Sequence, residues 1–153
     1  MQSPGSQYHL HGKIYDYSEI TDFIKMIKRG AIFIKNNKKV EICNNPAAFD
    51  IETSSFYLNG NKQACMYIWQ FGFNGDVIYG RSWEEFIHLM NEIVIALNLT
   101  IDRKLLIYVH NLSYEFQWIK DYFKWDSVFA LKSRKVCYAR TIDGLEFRCK
   151  RGT

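Results

Sequence analysis

Between Ser18 and Arg29 the chain reads SEITDFIKMIKR, and Ile20, Phe23, Ile24 and Ile27 fall at the spacing of one helical face. Ser18 is the expected N-cap and Gly30 the expected stop. The next stretch, AIFIKNNKKVEI, has two short apolar runs flanking Asn36-Asn37 and predicts a β-hairpin. Beyond Pro46 the pattern changes. AAFDIET, CMYIWQFGF and DVIYG predict three strands in a meander. SWEEFIHLMNEIVIAL then predicts an amphipathic helix, with Ser82 and Glu85 as a capping box and Phe86, Ile87, Met90, Val94 and Leu97 as the buried stripe. KLLIYVHN is a continuous apolar run, expected of a strand covered on both faces. SYEFQWIKDYF predicts a further helix, and VFALKSRKVCYARTI and GLEFRCK predict strands around a basic turn.

Composition adds bounds. The 153 residues, 48% hydrophobic and 16% aromatic, suffice for one folded domain with a substantial core. The longest apolar runs, such as Ile93 to Leu97, are far too short to span a bilayer, so no membrane partner is expected. The polar start, MQSPGSQ, lacks a signal-peptide core. Cys43, Cys65, Cys137 and Cys149 are scattered without a C-x-x-C pair, which predicts free thiols in a reducing, cytoplasmic setting and no disulfide partner. His9 and His11 form a lone H-x-H, read as an exposed tail rather than a metal site. The net charge of +4 permits a polyanionic partner without demanding one. Lys35, Lys38 and Lys39, then Lys132, Arg134 and Lys135, then Lys150 and Arg151 form basic clusters, open to phosphate contact or simply solvated.

The stretch FDIETSS carries the candidate chemistry. Successive strand side chains point to opposite faces, so Asp50 and Glu52 share one face and Phe49 and Ile51 the other. Two acids about 7 Å apart along a strand repel each other and resist burial. A divalent cation would resolve both problems; an edge-strand pair facing solvent is the other reading. A third acid bears on the choice. YVHNLSYEFQWI places His110 and Asn111 where the buried strand gives way to a helix, a place where ligands collect in α/β sheets. Glu115 falls in the first turn of that helix, on the face of Trp118, Ile119 and Tyr122. It would serve the helix dipole there or share a metal site with Asp50 and Glu52.

At these residues the sequence resembles the 3′→5′ exonuclease domain of family B DNA polymerases, closest to the protein-primed branch of phages and linear plasmids. FDIETSS matches the first exonuclease motif, D-x-E followed by Thr, and HNLSYE matches the second, with Asn, a Tyr and an acid. The resemblance runs from about Ala47 to Phe147. It implies an α/β, ribonuclease-H-like mixed sheet, three antiparallel strands then parallel strands, flanked by helices. Residues 1–46 would be a small N-terminal extension of helix and hairpin, and residues 47–153 the exonuclease domain. Asp50, Glu52 and Glu115 would be catalytic and hold two Mg²⁺ or Mn²⁺ ions. Thr53, His110, Asn111 and Tyr114 would contact the 3′ end of single-stranded DNA. The implied activity is two-metal hydrolysis of the terminal phosphodiester, for proofreading in DNA replication.

Two departures qualify this. The family has Asp where this chain has Glu115, and a shift of about 1 Å at a reacting centre can cost roughly 100-fold in rate. The third motif, Tyr-x-x-x-Asp on a later helix, has no counterpart late in the chain; DYFKWD holds acids but comes too early. The expectation is therefore the N-terminal, C-terminally truncated piece of a polymerase. Its missing polymerase domain would be the natural partner, and its own nuclease activity weak or absent. Two alternatives stand beside it. One is a stand-alone RNA exonuclease of the same fold, which would need a late carboxylate from Asp143 or Glu146. The other is a non-catalytic remnant that binds DNA or a protein.

Overall fold

The computed structural model describes residues 12–36, 39–131 and 135–149. His9, His11, Lys38, Lys132, Arg134, Lys150 and Arg151 lie outside them. The protein is α/β, with a mixed sheet of parallel and antiparallel strands flanked by helices. Its strands are β1 (Ile14–Asp16), β2 (Phe33–Lys35), β3 (Glu41–Cys43), β4 (Ala47–Leu58), β5 (Asn61–Phe73), β6 (Asp76–Gly80), β7 (Arg103–Val109), β8 (Trp125–Ala130), β9 (Val136–Thr141) and β10 (Leu145–Cys149). The helices are α1 (Ile20–Gly30), α2 (Trp83–Leu97) and α3 (Leu112–Ile119). The main sheet runs β1-β6-β5-β4-β7-β10-β9-β8, and the β2–β3 hairpin attaches to β7 through β3.

The meander β4–β5–β6 forms as the pattern predicts, and its turns have a plain cause. Asn59-Gly60 and Asn74-Gly75 both have positive φ, the conformation that two-residue hairpin turns require. β7 then runs parallel to β4, meeting it in register at Ala48 and Tyr108, and β10 runs parallel to β7. β1, which no pattern predicted in so short a run, extends the sheet by pairing in parallel with β6.

One face of the sheet is covered. Phe49 stacks on Phe86 of α2 at 4.3 Å, Phe23 of α1 meets Phe71 edge-on, and Phe123, just past α3, packs on Phe86 and Phe147. The alternation in β4 is strict through Glu52: Ala47, Phe49 and Ile51 are buried, while Ala48, Asp50 and Glu52 are exposed. Among the described residues no helix covers the opposite face.

Four local expectations need correction. Ser18 is not the cap of α1. Asp16 caps a short 3₁₀ turn, Tyr17–Glu19, by accepting from the Ser18 amide, and Glu19 returns the bond to the Asp16 amide. On α2 the capping box of Ser82 and Glu85 forms, but the buried stripe centres on Leu89 and Ile93, leaving Ile87 and Val94 half-buried. α3 ends at Ile119 rather than near Phe123. There the chain turns, so that Tyr122 faces outward to stack on Trp83 while Phe123 enters the core, and Trp125 Nε1 donates to the Lys120 carbonyl. Nor is β7 covered on both faces: Leu105, Ile107 and Val109 are buried, but Tyr108 is 40% exposed on the open face. All four cysteines are free. Among the described residues no helix is long and apolar enough to cross a membrane.

Candidate active site

β7 stops at Val109 while β4, beside it, continues to Leu58. The two strands pair at Ala48 and Tyr108, and from Asp50 onward no strand among the described residues lies on that side of β4. His110 and Asn111 make the corner, and α3 begins there. The Asn111 carbonyl accepts from the amides of Tyr114 and Glu115, but its side chain makes no capping bond. The first turn of α3 thus comes beside the middle of β4.

This brings Glu115 to Asp50. Glu115 is 4% exposed, and its Oε1 is buried without a hydrogen-bond partner. Burial first, then the negative charge of Asp50 and a hydrogen bond between the two carboxyl groups, raise its pKa to about 7, against a partial pull downward by the amides of Glu115 and Ile51. A buried, unpartnered carboxylate oxygen beside a second acid is costly unless a proton or a cation occupies the gap. Asp50 itself is exposed.

Thr53 and Tyr114, both expected near the substrate, also meet: Thr53 Oγ1 and the Tyr114 hydroxyl are 2.9 Å apart. A register shift helps to place them. Glu52 lies opposite Ile68 and Thr53 opposite Met66, so Tyr67 is an extra residue on β5 and bends the ribbon at this point. Tyr114 is 41% exposed and meets Trp118 edge-on, so it is not a core aromatic. His110 lines a cavity of about 660 Å³ together with Asp50, Tyr108 and the small residues Ala48 and Gly72.

Not every expected residue joins. Among the described residues, no three His, Cys, Asp or Glu side chains stand close enough to hold a metal ion. Asp50 and Glu115 form a pair, and Glu52, exposed two residues further on, is not part of a three-acid cluster with them. Tyr122 and Asp126, in the DYFKWD run, sit in a turn and a strand rather than on a helix. Of the late acids, Glu146 is buried against Lys104, Arg140 and Arg148, and Asp143 accepts from Thr141 Oγ1. Tyr108, not among the expected site residues, also lines the cavity of Asp50 and His110. Its signal was the register of KLLIYVHN, where Lys104, Leu106 and Tyr108 alternate with the buried Leu105, Ile107 and Val109.

Compared with known protein families, curated proteins and solved structures, the chain matches none.

Proposed function

We propose that this chain carries a metal-dependent 3′→5′ exonuclease site of the family B DNA polymerase type, acting on the 3′ end of single-stranded DNA. The observation that carries the reading is Glu115: a buried carboxyl with an unpartnered oxygen, beside Asp50, where a strand ends and a helix begins. The strand order supports it. An antiparallel meander, β6-β5-β4, joined in parallel to β7 and then to β10, is the order of a ribonuclease-H-like sheet.

The donor set fits a hard divalent cation in part. Asp50 and Glu115 offer carboxylate oxygens of the kind Mg²⁺ and Mn²⁺ accept, and water and phosphate oxygens would complete the shell. When bound, such an ion supplies Lewis-acid polarisation of the phosphodiester and an acidified water. The chain's own residues do the rest. Thr53 and Tyr114, already hydrogen-bonded to each other, form a polar and aromatic edge against which a terminal sugar or base would rest. Asn111, whose amide is free of capping duty, and His110 in the cavity offer donors and acceptors to orient the end. With two acids paired rather than three clustered, turnover would be slow.

Of the alternatives, the stand-alone RNA exonuclease is disfavoured by Glu146 and Asp143, whose oxygens are committed to neighbours. The test is a single-turnover time course on 3′-labelled single-stranded DNA with Mn²⁺ and protein in excess. Slow release of mononucleotides from the 3′ end, lost in Asp50→Ala, is expected. Equal release by Asp50→Ala, or attack from the 5′ end, would overturn the reading.

A further inference from the structure

The open face of the sheet changes character from one side to the other. On β4 it carries the exposed acids Asp50 and Glu52, while Asp16 on β1 is paired with Arg81; on the β7–β10 half it carries Lys104, Arg140 and Arg148. Strand register aligns the second half into a row. Tyr108 lies opposite Arg148, Arg148 opposite Tyr138, and Tyr138 opposite Phe129. Phe129 and Tyr138 stack at 5.5 Å with their planes only 13° apart, and Phe129 remains 46% exposed.

Glu146 organises the cations. It is buried, and it accepts from Arg140 Nε at 3.0 Å and from Arg148 Nε at 2.5 Å, with Lys104 Nζ at 3.8 Å. One carboxylate among three cations leaves surplus positive charge on the patch. Both guanidinium groups also lie over the Tyr138 ring, at 5.0 and 5.8 Å. At the other end of the row, Tyr108 is in register with Ala48, and both line the cavity that holds Asp50 and His110.

We propose that this row, Tyr108–Arg148–Tyr138–Phe129, is a binding track for single-stranded nucleic acid. The exposed rings of Tyr108 and Phe129, with guanidinium groups between them, suit a strand whose bases are unstacked and whose phosphates run alongside, and base stacking of this kind tolerates any sequence. A duplex keeps its bases stacked on one another and would leave the rings unused. The charge division gives the track a direction. A polyanion is held on the β7–β10 half and repelled by the acids beyond Ala48, so its end comes to rest near the cavity of Asp50. That the delivered end is then cut rests on the nuclease reading above; the binding does not.

Fluorescence anisotropy with labelled oligothymidylate and oligouridylate, in EDTA so that nothing is cleaved, tests this. The wild type is expected to bind both or one of them at low salt, the pair separating DNA from RNA as the preferred strand. Tyr108→Leu, which keeps an apolar strand residue without an aromatic face, should weaken binding about tenfold, and Tyr108→Phe should restore it. Arg148→Gln should weaken binding and lower the salt slope by about one. Lys25→Gln, an equal loss of charge on the exposed side of α1, should change neither. The track is refuted by absence of binding to both strands at low salt. It is also refuted if Tyr108→Leu binds like wild type, or if Lys25→Gln weakens binding as much as Arg148→Gln. A concentration-dependent dimer broken by Arg148→Gln, without nucleic-acid binding, would assign the face to a second copy instead. If the Tyr108 and Arg148 effects hold while Mn²⁺-dependent release is the same in Asp50→Ala, the nuclease reading falls and the track stands. The reverse pattern removes the track alone.

Discussion

Glu115 is held in a site that disfavours its charged form, and this has a consequence for stability. Its folded pKa, about 7, lies above the ordinary value of 4.5. A raised folded pKa means that the folded state holds its proton more tightly than the unfolded chain does. In metal-free buffer the resulting stability is fully present below about pH 4.5 and is lost as pH rises through 7, a change of about 3 kcal/mol. Urea denaturation in EDTA at a series of pH values between these limits should show that decline, and Glu115→Gln should flatten it. An equal decline in Glu115→Gln would place its origin elsewhere. Much at this scale was legible in advance. Strand periodicity put Asp50 and Glu52 on one face, and helical phase turned Glu115 inward. What could not be read was which acids meet, because that depends on where β7 stops relative to β4. A one-residue difference in that stop would move the first turn of α3 along β4 and change its partner.

Elements show how local rules and tertiary packing share control. The capping box at Ser82 and Glu85 was readable because it is written in four consecutive residues, and Trp69 Nε1 donates to the Ser82 carbonyl to tie it to β5. Gly80 makes that tie possible. A Cβ there would stand 2.6 Å from Glu85 Oε1 and would also press on the Trp69 ring. Gly80→Ala should therefore destabilise the fold by about 1–3 kcal/mol, the usual cost of overpacking, as a lowered midpoint in thermal or urea unfolding. An unchanged midpoint would mean that Trp69 is free to shift. The shortened α3 was not readable. SYEFQWIKDYF keeps helical periodicity to its end, but the pull of Phe123 into the core beside Phe147, and of Tyr122 onto Trp83, breaks the helix at Ile119. The bulge at Tyr67 was equally silent, because it falls in the uniformly apolar run Cys65–Ile68, where no alternation marks a change of register.

At the scale of the whole molecule, the described residues place their helices on one side of the sheet and leave the other side open, with acids on β4 and cations on β7, β9 and β10. The α/β class and the mixed sheet came through the sequence because the period changes from the meander to α2 and again to β7. The open face did not, since an apolar strand looks the same whether its second face meets a helix or solvent. Tyr108 shows the limit: only its register with Lys104 distinguishes the exposed side. The proposed chemistry lies where that face meets the first turn of α3, and on that proposal Asp50 and Glu115 together hold a divalent cation. Titration of Mn²⁺ into the protein at neutral pH, followed by electron paramagnetic resonance of the free ion, measures this directly. Saturable binding that is lost in both Asp50→Asn and Glu115→Gln and survives Lys25→Gln is expected. Binding unchanged in those two variants, or no binding by the wild type, would contradict it.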